Sequence, residues 1–270
     1  MIHPTAIVHP RAQIHPLVEV GPYCVIDEHV TLGEGSLLEA GARVTGHTVI
    51  GRGNRFHTGC VVGDAPQDLR YKGEPTRLRV GNDNVFREHV TIHRSNRADE
   101  DTVIGSNNYF MAGSHVGHNC AVGNHVILAN GAMLGGHATV GDRAFISGNC
   151  LVHQFVRVGP LAIMQGGSAA SQDVPPFTIA TGDNHICGLN IVGLRRAGFT
   201  LEDRMALKRL YHALFFSGGN LREAAAQARE QFANPHCLAL VDFVLASRRG
   251  VCRHGRSSSR RQAEKQTADD

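Results

Sequence analysis

Residues 104–164 read IGSNNY FMAGSH VGHNCA VGNHVI LANGAM LGGHAT VGDRAF ISGNCL VHQFVR VGPLAI M, and each block of six opens on a large apolar residue, from Ile104 through Val116, Leu134 and Val152 to Met164. An amphipathic helix repeats near 3.6 residues and a half-buried strand at 2, so neither accounts for six. Working outward, the same step runs from Ile2 through Val8, Ile14, Val20, Ile26, Leu32, Leu38, Val44, Ile50 and Phe56 to Val62, and returns at Val80, Phe86 and Ile92. The residue four after each aliphatic is usually small, as at Ala12, Cys24, Ser36, Ala42, Cys60, Cys120, Ala132, Ala138 and Cys150. Each hexad is expected to make one short strand and a turn, and three hexads to close a triangular coil. Coils stack by backbone pairing into an all-β solenoid, a parallel β-helix that leaves open edges only at its ends. The Gly that often follows the aliphatic (Gly21, Gly33, Gly105, Gly117, Gly141, Gly159) is expected to supply the unusual backbone angles of a tight corner.

Two polar stretches, 63–79 and 94–103, interrupt the pattern and read as loop excursions from the coil. The solenoid is expected over 1–176, ending at Pro175-Pro176. A linker and a small α-helical domain over 177–250 follow. Thr200 with Asp203 forms a capping box ahead of Leu207, Leu210, Tyr211 and Leu214; Asn220 caps a second helix, and Leu238 to Leu245 is the apolar part of a third. These helices are expected to cover the open end of the solenoid. From 251 to 270 the chain is polar, with Arg253, Arg256, Arg260 and Arg261, and disorder is expected.

Composition narrows the function. The chain has 31 Gly, no Trp and 6% aromatics, which suits a narrow interior of small and aliphatic groups. A net charge of +3, with no aromatics interleaved among the basic residues, gives no case for nucleic acid. No targeting segment or membrane-spanning run is visible, and a cytoplasmic location is expected. Seven Cys with no C-x-x-C pair argue against a disulfide framework or a zinc knuckle.

Among 17 His, four share one side of the solenoid. Residues 18 apart stack coil on coil, so Val116, Leu134 and Val152 form a column; His115 and His118 flank the first, His137 lies three after the second and His153 follows the third. Coils lie about 4.8 Å apart. Such a set can be a stack of exposed turn residues. It can also supply a general base near neutral pH for a sugar hydroxyl, or hold zinc for a hydratase of the carbonic anhydrase type. Spacing alone leaves these open.

Longer motifs carry a resemblance. His115-Val116-Gly117-His118-Asn119-Cys120, Gly135-Gly136-His137, Val152-His153-Gln154-Phe155 and Gln172-Asp173-Val174-Pro175-Pro176 are similar to the acyl-carrier-protein-dependent UDP-N-acetylglucosamine O-acyltransferases that begin lipid A synthesis. So are Pro66-Gln67-Asp68-Leu69-Arg70-Tyr71-Lys72-Gly73-Glu74, Thr91-Ile92-His93-Arg94 and Gly188-Leu189-Asn190-Ile191-Val192-Gly193-Leu194-Arg195-Arg196. The similarity spans roughly Met1 to Gly250.

The resemblance implies a left-handed coil, a homotrimer with sites between adjacent solenoids, and transfer of a 3-hydroxyacyl chain from acyl carrier protein to the sugar 3-hydroxyl. It implies His118 as general base and the Gly136 N–H as oxyanion donor. His115, His137, His153 and Gln154 would line the sugar and thioester pocket. Asp68 and Arg70 would contact sugar and phosphate, and Asn190 and Arg196 the nucleotide. Gly166 would gauge acyl length, and an open glycine there implies a longer chain. No metal or cofactor is implied beyond the 4'-phosphopantetheine that arrives on the carrier, an acidic partner that basic surface would attract. The sister N-acyltransferase of the same pathway normally carries an added N-terminal uridine-binding domain, for which hexads starting at Ile2 leave no room. Three positions depart from the family pattern. Asn119 stands where the best-known members place an acid, Val192 where some place a nucleotide-contacting acid, and Arg70 where a Lys is usual.

Overall fold

Most hexads form a two-residue strand whose first residue faces outward and whose second, the periodic apolar one, faces inward, as in Val25–Ile26, Leu37–Leu38 and Phe145–Ile146. The computed structural model describes residues 1–255. Three sheets result, of nine, eight and eleven strands, each built along the solenoid from every third strand of the chain, with three consecutive strands, Thr178–Thr181, His185–Leu189 and Arg253–His254, added to the third. The first face runs from Ile7–Val8 to Ala169–Ala170, the second from Gln13–Ile14 to Arg157–Val158. The third begins at Glu19–Val20. Pairing along the solenoid is parallel, for example His115 with Met133 and Met133 with Leu151.

Columns of like residues fill the interior. Phe56, Phe86 and Phe110 stack with centroids 4.8 and 5.0 Å apart, the coil rise itself. Beside them Asn54, Asn84 and Asn108 form a buried polar ladder: Asn84 Nδ2 donates to Asn54 Oδ1 at 2.9 Å, and the Asn84 oxygen accepts from Asn108 N at 2.9 Å. The Asn54 and Asn84 carboxamides are thus paired from coil to coil, which offsets the cost of burying them, while Asn108 Oδ1 accepts from Val126 N and its Nδ2 is left without a partner among the described residues. Small positions ahead of the strands hold Cys24, Cys60 and Cys150 in one column and Cys120 in another, and their thiols donate to carbonyls of the neighbouring coil; burial pushes the Cys60 thiol up to about 12.

Backbone angles correct one expectation. Gly21, Gly33, Gly105, Gly117, Gly141 and Gly159 do not adopt positive φ; along the coil that conformation falls two residues after this position, at Gly35, Gly41, Gly113, Gly131 and also Asn107, Asn119, His137 and Phe155. Gly117 is needed for closeness instead, since a Cβ there would lie 2.8 Å from Gly136 N and 2.9 Å from Leu134 O.

The excursions are narrower than 63–79 and 94–103. Strands Val61–Asp64 and Arg77–Val80 bound the first and Thr91–His93 and Asp101–Ile104 the second, because Arg77–Val80 pairs along its length with both His47–Ile50 and Asp101–Ile104. Only 65–76 and 94–100 leave the coil. They lengthen the path by whole hexads, so Val80 and Ile104 keep the phase of Val62 and Ile92.

The stretch expected as a linker after 176 is sheet. Thr178–Thr181 continues the third face beyond Ile163–Met164, and His185–Leu189 turns back antiparallel to it. Four helices follow: α1 (Ile191–Arg196), α2 (Leu201–Phe215), α3 (Leu221–Gln231) and α4 (Pro235–Leu245). The Thr200/Asp203 capping box opens α2 and Asn220 caps α3, as the sequence indicates. Leu194, Leu207, Leu210, Ala225, Leu240 and Val241 form a second core against Phe177. The expected disorder does not start at 251: Val251 and Cys252 are buried and Arg253–His254 pairs with His185–Ile186, an edge that needed a partner. Arg256, Arg260 and Arg261 lie outside the described residues. Among the described residues no helix is long and apolar enough to cross a membrane.

Candidate active site

The corner between the first and second faces carries the chemistry. The column Gly117, Gly135, His153 leads into a column of His118, Gly136 and Gln154, and this into one of Asn119, His137 and Phe155. Every member of the last column has positive φ, at 57, 60 and 64°. His137 N donates to His118 O at 2.9 Å and Phe155 N to Gly136 O at 3.0 Å, which locks the columns together. His137 stacks on Phe155 at 4.6 Å and meets His118 edge-on at 5.2 Å. The three coils therefore deliver the His cluster to one corner, with His118 above Gly136 rather than above His137.

A cleft of about 720 Å³ opens here, lined among others by His93, His115, His118, Gly136, His153 and Gln154. His118 Nδ1 lies 2.9 Å from Asn119 Oδ1. The orientation of the Asn119 amide follows from its other partners. Nδ2 donates to Ser95 Oγ at 2.7 Å and to Glu100 Oε2 at 2.9 Å, while Oδ1 accepts from Asn96 N at 3.0 Å. A backbone N–H can only donate and a carboxylate only accept, so Oδ1 must face His118. Nδ1 of His118 therefore carries the proton, and Nε2 is left with its lone pair. That nitrogen abuts Gly136: a Cβ added there would lie 2.7 Å from both Nε2 and Cε1 of His118. Among the described residues nothing accepts the Gly136 backbone N–H.

Burial works against a charge on His115, His93 and His137. His115 Nδ1 bonds Thr91 Oγ1 at 2.7 Å, and burial, with His93 and His118 nearby, pushes its pKa down to about 4. Burial likewise lowers His93 and His137. His93, which packs edge-on against His115 at 5.1 Å, has a buried Nδ1 with no partner in the protein. His153 is exposed at the rim, its Nδ1 3.4 Å from Arg249 Nη2. Zinc would need converging ligands, and among the described residues no three His, Cys, Asp or Glu side chains form such a group.

Asp68 and Arg70 stand on the first excursion, joined by hydrogen bonds of 3.2 and 3.0 Å. The Arg70 side chain first, and Asn96 with it, holds the Asp68 carboxyl well below its ordinary range. Asn96 Nδ2 donates to Asp68 Oδ2 at 2.7 Å, so the excursion is tied to the His118–Asn119 pair. Gln67 of the same excursion lines the cleft.

Two expected residues lie elsewhere. Asn190 is buried; its Oδ1 caps α1 by accepting from Gly193 N and its Nδ2 donates to Leu161 O, each at 2.9 Å. Within one chain this carboxamide fastens α1 to the solenoid. Arg196 is exposed at the last turn of α1 and, like Asn190, does not line the cleft. Gly166 is exposed at the other corner of the first face, where an added Cβ would meet only Gly148 O, at 3.6 Å. The sequence reading missed Glu100, Ser95 and Asn96, which have no motif of their own. It also missed Met133 and Leu151, about half exposed on the first face and in the cleft wall with Ala169. Their signal was available: they occupy the outward position just before an inward aliphatic, yet are apolar.

A hexapeptide coil with a basic imidazole beside an unpaired backbone N–H defines a hexapeptide-repeat acyltransferase. A family model described as bacterial transferase hexapeptide (six repeats) matches residues 101–136, and one described as UDP N-acetylglucosamine O-acyltransferase, domain 2, matches 173–252. A curated relative from Thermodesulfovibrio yellowstonii, named acyl-(acyl-carrier-protein)–UDP-N-acetylglucosamine O-acyltransferase, is 44% identical over 93% of this chain and 99% of its own. One of the same name from Syntrophobacter fumaroxidans is 42% identical over the same shares. Among solved structures, the UDP-N-acetylglucosamine acyltransferase LpxA of Bacteroides fragilis superposes with a TM-score of 0.90 at 39% identity, covering 94% of this chain and 100% of that one. The Francisella novicida UDP-N-acetylglucosamine acyltransferase gives 0.91 at 37%, covering 96% of each. The chain belongs to the acyl-(acyl-carrier-protein)–UDP-N-acetylglucosamine O-acyltransferase family, and its coil is the left-handed parallel β-helix.

Proposed function

We propose that the protein transfers a 3-hydroxyacyl group from acyl carrier protein to the 3-hydroxyl of UDP-N-acetylglucosamine, the first step of lipid A synthesis. The observation that carries the mechanism is the oriented His118–Asn119 pair beside the Gly136 N–H. Nε2 of His118 takes the proton from the sugar hydroxyl as its oxygen attacks the thioester carbonyl. The oxyanion that forms is held by the Gly136 N–H. Collapse breaks the carbon–sulfur bond, and the imidazolium returns its proton to the departing phosphopantetheine thiol, the only prosthetic group required and one that arrives with the substrate. His115, His137, His153 and Gln154 surround the sugar and thioester, and the Asp68–Arg70 pair meets the sugar and its phosphate.

The apolar outward residues Met133, Leu151 and Ala169, paired in register coil on coil, give the acyl chain a dry track along the axis. Gly166 leaves room for a long chain at the neighbouring corner. Assembly as a homotrimer is supported by this half-exposed apolar face and by Leu69, fully exposed on the first excursion; a neighbouring copy would bring Arg196 to the nucleotide. Both substrates place the enzyme in the cytoplasm. The test is transfer from a ladder of 3-hydroxyacyl carrier proteins to UDP-N-acetylglucosamine, with His118→Ala alongside. Turnover that falls about a thousandfold or more in the folded variant supports the base; wild-type protein inert at every chain length overturns the assignment.

A further inference from the structure

Asn119 cannot stabilise the imidazolium by charge, yet the charge is present one bond further on. The second excursion folds back so that Glu100 Oε2 accepts from Asn119 Nδ2 at 2.9 Å, while the oxygen of the same amide faces His118 Nδ1 at 2.9 Å. Building on the acyltransferase reading above, we propose that Glu100 is a positioning residue that supplies, through the Asn119 amide, the carboxylate the general base lacks as a direct neighbour.

The physics is that of a polarised hydrogen-bond chain. An amide that donates to a carboxylate shifts electron density onto its oxygen, which then accepts more strongly from the imidazole N–H. The gain is largest when His118 is protonated, which is the state formed as the sugar hydroxyl attacks. The surroundings keep Glu100 free for this. Arg97 is bonded by both guanidinium arms to Asp99, at 3.1 and 2.9 Å, and comes only to 3.8 Å of the other Glu100 oxygen. His137 Nδ1 lies 3.9 Å from Oε2, and burial and His118 lower its affinity for a proton. The side-chain amide is clamped by Ser95 and Asn96, and the Asn119 backbone N–H donates to Thr102 Oγ1. Glu100 is about half exposed, so screening tempers its effect.

Glu100→Gln keeps an acceptor for Asn119 and removes the charge. It is expected to lower kcat about fivefold to tenfold with both KM values within twofold. The acid limb of the kcat/KM profile should move to lower pH; the other groups facing this pair, His93, His115, His137 and Arg97, are unchanged. Asn119→Asp alone sets two carboxylates against each other and loses activity. The double variant Asn119→Asp/Glu100→Gln restores the bonding pattern in reverse order, because the new amide donates to the new carboxylate, and should return kcat to within threefold of wild type. A purely structural Glu100 predicts no loss in Glu100→Gln and no rescue. Either result, with circular dichroism showing intact fold, overturns the proposal while wild-type turnover preserves the acyltransferase reading. An inert wild type overturns both.

Discussion

Gly136→Ala separates the chemistry from the scaffold. The backbone at this position is not in the left-handed region, so alanine meets no torsional strain. Its Cβ, however, would stand 2.7 Å from Nε2 and Cε1 of His118, where ordinary contact begins at 3.4 Å. The imidazole must retreat by about 0.7 Å, and misplacing a reacting group by about 1 Å costs up to a hundredfold. A fall in kcat of about 30- to 100-fold is expected, or roughly 2 to 2.7 kcal/mol in the barrier. Because the displaced atoms end a side chain, unfolding should change by less than about 1 kcal/mol. Gly135→Ala is the control, since its Cβ would meet the backbone nitrogen of Gln154 at 2.8 Å and must strain the coil itself. Steady-state kinetics with thermal melts of both variants make the comparison. A Gly136→Ala enzyme with kcat within threefold of wild type would refute the idea that the ring needs this void.

Chain-length choice should move with Gly166→Met, favouring shorter acyl donors in competition assays; unchanged preference removes Gly166 as the gauge. Phe86→Ala opens a gap between Phe56 and Phe110 and should cost about 3–5 kcal/mol in urea unfolding. His115 has a folded value of about 4 against 6.5 when unfolded, so the unfolded chain binds the extra proton between these values. Its contribution is whole above pH 6.5 and fades as pH falls toward 4, by up to about 3 kcal/mol. His115→Gln should therefore flatten the pH dependence of the melting temperature in that window.

The solenoid could be read from sequence because one inward residue per hexad, Ile104 to Met164 without a gap, tolerates no alternative period. The positive-φ corner was misplaced by two residues because glycine marks both left-handed backbone and close approach, and Gly117 serves the second. His115, His118, His137 and His153 were placed on adjacent coils by counting. The orientation of His118 was not countable: it depends on Ser95, Asn96 and Glu100, whose positions follow from how an aperiodic excursion folds back. The cap that Asn190 makes on α1, with its bond to Leu161, was not legible for a related reason, since an asparagine ahead of a helix serves equally as cap or ligand and only the packing shows the bond.

Both excursions leave the coil after one strand and re-enter it at another, so their length is decoupled from the winding. A single residue added inside the hexad run has no such outlet; without a bulge it would turn Val116 outward and Gly117 in, and disturb the corner built there. Segments carried on the excursions can thus be exchanged as cassettes that vary in sequence and in length, while the hexads that build the corner stay counted in sixes.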